Sequence, residues 1–340
     1  MNLIGRIYDS FNFLSVIGQG GMGVVYKSYD YKLERYVAIK VIHPRVSQSK
    51  VSIQRFKREA RNQAKLLHPN IIAVLDLIKL DDSFGIVMEY AEGESLSNLL
   101  KKNIRLDFPQ TKDILNQIIA GLSFAHSNGF IHRDIKPSNI IVRNDGVVKI
   151  ADFGIAKSVS DRKALVTASN FLGTTFYMSP EQINGLHLSH HTDIYSLGCT
   201  IYEMVTGYPP FYYSNDFQVL NAHLREIHAP IENWRQDIPH NFSGLVNLML
   251  QKSPKERPKS CEVIAKQLDS IQPVNYYDMY LLPNKSKRNE KKSASSYLLI
   301  KIFLLLVTIL VSYLVIKNIK ITGWDNKEVP KKELNPFNKL

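Results

Sequence analysis

The run His132-Arg133-Asp134-Ile135-Lys136-Pro137-Ser138-Asn139 puts a carboxylate and an amide five residues apart, and Asp152-Phe153-Gly154 adds a second carboxylate thirteen residues after Asn139. Phosphoryl transfer asks for such a set. One Asp orients and deprotonates a hydroxyl, while an Asn and an Asp offer hard oxygens to Mg²⁺ on the phosphates. Short strings of this kind are only moderately specific, so their order and surroundings have to carry the rest.

Upstream, Ile17-Gly18-Gln19-Gly20-Gly21-Met22-Gly23-Val24-Val25 forms a glycine turn flanked by β-branched and aromatic residues from 11 to 42. A lone G-x-G-x-x-G also marks dinucleotide folds, where a helix follows it. Here β-rich sequence continues, which favours a flap whose N–H groups approach nucleotide phosphates. Seventeen residues after Gly23, Val37-Ala38-Ile39-Lys40 alternates as a strand that would aim Lys40 at the α- and β-phosphates. Ile53, Phe56, Ala60, Ala64 and Leu67 then recur at helical spacing, predicting a helix over 52–67 that carries Glu59 as the anionic partner of Lys40. Strands are expected over 71–80 and 84–90, and long helical segments from Ser95 onward, notably 111–126 closing at Asn128-Gly129.

In this order and spacing the sequence resembles the eukaryotic-type (Hanks-type) serine/threonine protein kinases, most closely the membrane-anchored bacterial ones, over residues 9–269. The resemblance implies an α+β, bilobal protein-kinase fold, a small β-rich lobe above a larger α-helical one, with ATP and Mg²⁺ (or Mn²⁺) in the cleft. It makes Asp134 the catalytic base and Lys136 a charge on the γ-phosphate, with Asn139 and Asp152 as metal ligands. The lysine two residues after Asp134 further implies Ser/Thr acceptors. By the same match Met88 and Glu89-Tyr90-Ala91 are the gatekeeper and hinge, where the backbone of Glu89 and Ala91 reads adenine between Val25, Ala38 and Ile141. Side-chain identity at the hinge is expected to matter little, since main-chain groups do the reading.

Small-molecule kinases share the Asp and Asn spacing. They lack the segment from Asp152 to Ser179-Pro180-Glu181, in which Ser-Pro-Glu stands for the commoner Ala-Pro-Glu. In that segment Thr174 matches a substrate-platform residue that touches Asp134 and Lys136. Thr167 and Ser169 are the autophosphorylation candidates, whose phosphate would pair with Arg133. Asp193 matches the brace of the catalytic loop, and Arg257 the partner of Glu181. A pseudokinase scaffold is the rival reading, opposed by the presence of Lys40, Glu59, Asp134, Asn139 and Asp152 together. One departure is Gln63, where the family places an apolar side chain toward Phe153. It either weakens the active alignment of its helix or packs through its methylenes.

Composition bounds the remainder. Net charge is +12, yet residues 270–340 hold twelve Lys/Arg and five Asp/Glu, so +7 of it belongs to the tail. No basic stripe or nucleic-acid motif accompanies the charge, so nucleic acid is not an expected partner. Cys199 and Cys261 have no metal or redox spacing and are expected to be buried apolar residues in a reducing compartment. Residues 270–296 read as a basic juxtamembrane linker and 297–316 as a transmembrane helix, since twenty apolar residues span about 30 Å. Lys301 would snorkel to the headgroups near one end of that span. No secretory signal is read in the first thirty residues, and basic residues flank the span almost evenly. A kinase domain needs ATP and so is expected on the cytoplasmic side of the cell membrane. The 317–340 tail would lie outside, too short for a sensor with its own core. Expected partners are protein substrates, membrane lipid through the linker and helix, and a second copy in a homodimer.

Overall fold

The computed structural model describes residues 2–20, 23–43, 50–81, 83–153 and 175–274, without the side chains of residues 50, 51, 52, 55 and 59. Gly21, Met22, Thr167, Ser169, Thr174, the 297–316 run, its tail and its linker from residue 275 on therefore lie outside the described residues. Among the described residues no helix is long and apolar enough to cross a membrane.

The first ninety residues build a six-stranded antiparallel sheet in the order β1-β2-β3-β4-β6-β5. Its strands are β1 (Ile7–Tyr8), β2 (Phe11–Gly20), β3 (Gly23–Asp30), β4 (Arg35–Ile42), β5 (Val74–Leu80) and β6 (Ser83–Glu89). Alternating apolar residues give it a buried face on which Phe13, Tyr26, Val37, Ile39 and Leu80 pack together. Helix α1 (Lys50–Gln63) joins β4 to β5, turning Phe56 and Ala60 inward. The expected helix ran on to Leu67, but that side chain is 69% exposed. The last carbonyls of α1 accept from Ala64, Lys65 and Leu66, closing the chain around Leu66 rather than continuing the helix.

Below the sheet the chain turns helical. After β7 (Gly93–Ser95), Ser95 caps α2 (Leu96–Asn103) by accepting from the Asn98 N–H. Asp107 caps α3 (Phe108–Ser127) through the Gln110 N–H, so α3 opens three residues before the sequence expectation. It closes at Asn128 and Gly129, whose φ of 77° is the left-handed conformation glycine tolerates. Strand β8 (Ile140–Arg143) pairs with β7 on one side and β9 (Val148–Ile150) on the other in a second, antiparallel sheet. Helices α4 (Pro180–Ile183), α5 (His190–Thr206), α6 (Asp216–Arg225), α7 (His240–Met249) and α8 (Cys261–Asp269) follow. Helix α5 is buried nearly all round, as expected of a central helix. Its Ile194, Leu197 and Ile201 share one core with Leu115, Ile118 and Leu122 of α3. Fully burying each such side chain is worth about 1.5–3 kcal/mol. Cys199 and Cys261 are free and buried in this core, and burial pushes each thiol well above its ordinary range. A β-rich lobe over a helical one is the architecture the resemblance implied.

Candidate active site

The loop that holds the first motif runs between α3 and β8, and its shape is dictated from below. Asp193 near the start of α5 is fully buried and accepts the N–H of His132 at 2.8 Å, the N–H of Arg133 at 2.7 Å and Nε2–H of His126 at 2.8 Å. Burial alone would raise its carboxyl; the bonds from His126 and the backbone outweigh that and hold it below its usual range. Arg133 is thereby kept at φ 68°, a strained region for a side chain of its size. Gln182 of α4 donates to the Arg133 carbonyl at 2.8 Å and fixes the loop from the other side. His132 is buried and pushed down from its ordinary pKa by that burial. Its Nδ1 accepts from the Asp134 N–H at 3.2 Å, so Nε2 carries the proton and donates to the Ala151 carbonyl at 2.9 Å.

On this frame the three polar residues of the first motif converge. Asn139 donates to the Asp134 carboxylate at 3.1 Å and to its carbonyl at 2.8 Å, and Lys136 Nζ lies 3.0 Å from the same carboxylate. The Ala151 N–H donates to the Asn139 carbonyl at 2.8 Å, which brings Asp152 alongside the loop. Asp152 has φ 60°, and its Oδ1 sits 2.5 Å from Lys40 Nζ. Lys40 thus reaches the head of the second motif. Glu59 lies on α1 as expected, and its side chain is outside the described residues.

Above the loop, β2 and β3 pair Gly18 with Val25, Gln19 with Val24 and Gly20 with Gly23, so the glycine turn is a hairpin, with Ile17 exposed beside it. A Cβ on Gly23 would lie 2.0 Å from the Val41 carbonyl, so this glycine is demanded by the neighbouring strand as well. Val25 faces Lys40 across β3 and β4, and Ala38 faces Met88 across β4 and β6. Ala38, Met88 and Ala91 form one apolar cluster, with Val25, Ile141 and Ala151 packed against it. The Glu89 N–H is bonded to the Ala73 carbonyl at 2.9 Å.

Farther down, Arg257 grips the Glu181 carboxylate with two bonds of 2.7 and 2.8 Å, and Thr192 donates to the same carboxylate at 2.9 Å. Burial works against the charged form of Glu181, yet Arg257 holds its carboxyl below the usual range. The other guanidinium N–H groups of Arg257 go to the carbonyls of His191, Lys252 and Gln251.

Sequence reasoning missed Gln182, His126 and Lys149. The first two are helix residues whose targets lie tens of residues away. Lys149, in β9, is 7% exposed and pairs with the Glu89 carboxylate at 2.7 Å. Its place three residues before Asp152 was the available signal. Gln63 is 2% exposed, and among the described residues neither atom of its amide has a hydrogen-bond partner. It lines a cavity of about 450 Å³ with Arg58, Leu66, Phe130, Arg133 and Phe153.

The donor set fits a magnesium nucleotide. Asn139 and Asp152 offer hard oxygens of the kind Mg²⁺ prefers, and Lys40 is a cation held against Asp152.

Comparison with known proteins agrees. The family model described as protein kinase domain matches residues 11–268. A protein named as a probable serine/threonine-protein kinase of Clostridium perfringens is 38% identical over 270 residues, covering 79% of this chain and 39% of that protein. The serine/threonine-protein kinase PrkC of Bacillus subtilis is 36% identical over 261 residues, covering 76% of this chain and 40% of PrkC. The chain therefore spans about two fifths of the length of these relatives. Among solved structures, the PknI kinase domain of Mycobacterium tuberculosis, in a mutant form, superposes with a TM-score of 0.62 at 25% identity, over 79% of this chain and 98% of that one.

Proposed function

The chain belongs to the protein kinase domain family, and from that premise we propose that it transfers the γ-phosphate of ATP to Ser or Thr hydroxyls of proteins. The observation that carries the reading is the convergence of Lys136 and Asn139 on the Asp134 carboxylate, on a loop held from below by Asp193. Asp134 orients the acceptor hydroxyl and takes its proton as transfer proceeds. Asn139 keeps that carboxylate aimed. Lys136 lies where negative charge gathers on the γ-phosphate and stabilises it there. The hinge backbone of Glu89 and Ala91 holds adenine between Val25, Ala38 and Ile141, and Lys40 holds the α- and β-phosphates, with Glu59 as a further anchor on α1. Asn139 and Asp152 would hold Mg²⁺, which when bound neutralises phosphate charge.

Three finer readings rest on the sequence. Autophosphorylation on Thr167 or Ser169 would place a phosphate against Arg133 and order the segment between Asp152 and Glu181, with Thr174 as the platform under the acceptor. The 297–316 run would anchor the chain in the cell membrane, catalytic side to the cytoplasm, with the basic linker on anionic lipid. A second copy would be the partner for phosphorylation in trans.

The test is transfer of labelled γ-phosphate from Mg²⁺-ATP by the full chain in detergent, beside Asp134→Asn, with phosphosites mapped. Loss of a general base lowers the rate about 10²–10⁴-fold, so label on the protein should vanish in the variant while ATP binding persists. Equal transfer by both proteins would overturn the reading, and absence of phosphate on residues 164–175 in active enzyme would overturn the autophosphorylation step.

A further inference from the structure

The Glu89 side chain is not idle. Lys149 Nζ reaches both its carboxylate oxygens, at 2.7 and 2.8 Å, and the Ala73 N–H donates to the second at 3.3 Å. With its own N–H on the Ala73 carbonyl, Glu89 is fixed through backbone and side chain at once. Lys149 is held as firmly. It is mostly buried in β9, its register partner in β8 is Ile141 of the apolar cluster, and the next residue, Ile150, exchanges backbone bonds with Asn70 and Ile72. One ion pair therefore ties the end of β6 in the upper sheet to β9 in the lower one, and β9 runs on within three residues to Asp152.

We propose that Lys149 is a positioning residue for the nucleotide. By pinning the Glu89 carboxylate it sets the orientation of the Glu89 peptide, whose carbonyl would meet the adenine amino group. Through β9 it also fixes the span from that carbonyl to Asp152, so purine and phosphates are gripped at one set separation. The proposal rests on the reading of Glu89 and Ala91 as the adenine edge. It departs from the expectation that hinge side chains are interchangeable. A partly buried pair has this leverage because removing one partner leaves the other charged and uncompensated, and Glu89 then swings toward water.

The experiment measures initial rates of the full chain in detergent, with Mg²⁺-ATP and a generic basic protein as acceptor, for the wild type, Lys149→Met, Lys149→Arg and Glu89→Gln, with calorimetric ADP binding and thermal melting alongside. Lost charge-assisted bonds predict a KM for ATP raised about tenfold in Lys149→Met, a matching loss of ADP affinity, kcat within about threefold and an unchanged KM for the acceptor. Lys149→Arg should recover most of the affinity, and Glu89→Gln should show a smaller rise. If Lys149→Met does not fold, the rise in KM for ATP of Glu89→Gln over Lys149→Arg gives the same reading. Unchanged nucleotide affinity in every folded variant overturns the proposal, as does a fall in kcat that tracks thermal stability with both KM values unchanged. A wild type that neither binds ADP nor transfers phosphate would instead overturn the proposed function.

Discussion

The loop that carries Asp134 and the helix that carries Gln63 line the same cavity, yet they are held in opposite ways. Under the loop the two central charged groups are answered, although on the loop itself the Arg133 Nε is buried without a partner among the described residues. Asp193 accepts three bonds, and all five N–H groups of Arg257 are used. On α1, the Gln63 amide is as buried as those groups and has no partner among the described residues, where the inner side of this helix is held by the packing of Phe56 and Ala60. A satisfied network has one low-energy arrangement, whereas apolar packing tolerates a shift. The loop is thus built for fixed geometry, and α1 is the element whose position can be changed at small cost.

The largest break in this contrast should come from Arg257→Ala. It strands the Glu181 carboxylate in the core, at a cost of about 3–5 kcal/mol. With roughly 2–4 °C lost per kcal/mol in a domain of this size, melting should fall by roughly 10 °C. A fall of a degree or less would mean the network is no more rigid than α1.

Acid should next attack the braced side. The Asp193 and Glu181 carboxyls lie below their ordinary values in the folded state, so their contribution is complete above about pH 5 and disappears as pH drops through the folded values. Histidine acts earlier. His223 lies on α6 with its Nδ1 2.9 Å from the Tyr195 hydroxyl of α5, and burial lowers it from 6.5 to about 3. The unfolded chain therefore binds the extra proton between those values, and stability declines on acidification by up to about 1.4 kcal/mol per pH unit. Urea unfolding of His223→Gln between pH 7 and pH 5 should show a slope smaller by one proton, and an unchanged slope would refute the assignment.

The smallest effect sharpens the contrast from the other side. Gln63→Met keeps the volume and removes the two unpaired polar atoms, and should add about 1–2 kcal/mol of stability. It should also raise transfer by protein not yet phosphorylated, because α1 would then settle against Phe153. Lower stability would mean that the amide has a partner in solution.

Much of this site could be read before any coordinates. Asp134, Asn139 and Asp152 are separated by short, fixed spacings, and Asp193, Glu181 and Arg257 each sit in a local pattern of their own. The β2–β3 hairpin was legible because glycines interrupt an otherwise β-branched run. What escaped notice depends on tertiary closure. Lys149 and Glu89 are sixty residues apart and no local pattern marks them as partners. Leu67 carried the right spacing for the buried face of α1 but fell beyond its end. Ile71 sits where a strand was expected, and its bridge to Ile150 belongs to the lower half of the molecule. Periodicity describes one segment at a time, and these errors all concern which segment is the neighbour.

The bonds from Asp193 to His132 and Arg133 bridge 61 and 60 residues, and the Arg257–Glu181 pair bridges 76. During synthesis, the chain therefore emerges with its acidic and amide groups complete long before the helix that shapes their loop, and later still before the arginine that locks it. Translation at about 5–20 residues per second makes that interval several seconds. A ribosome stalled between Asn139 and Asp193 would release a fragment that has the whole first motif without the carboxylate that shapes its loop. The order of the sequence thus leaves the first motif without its brace until the later segments have emerged.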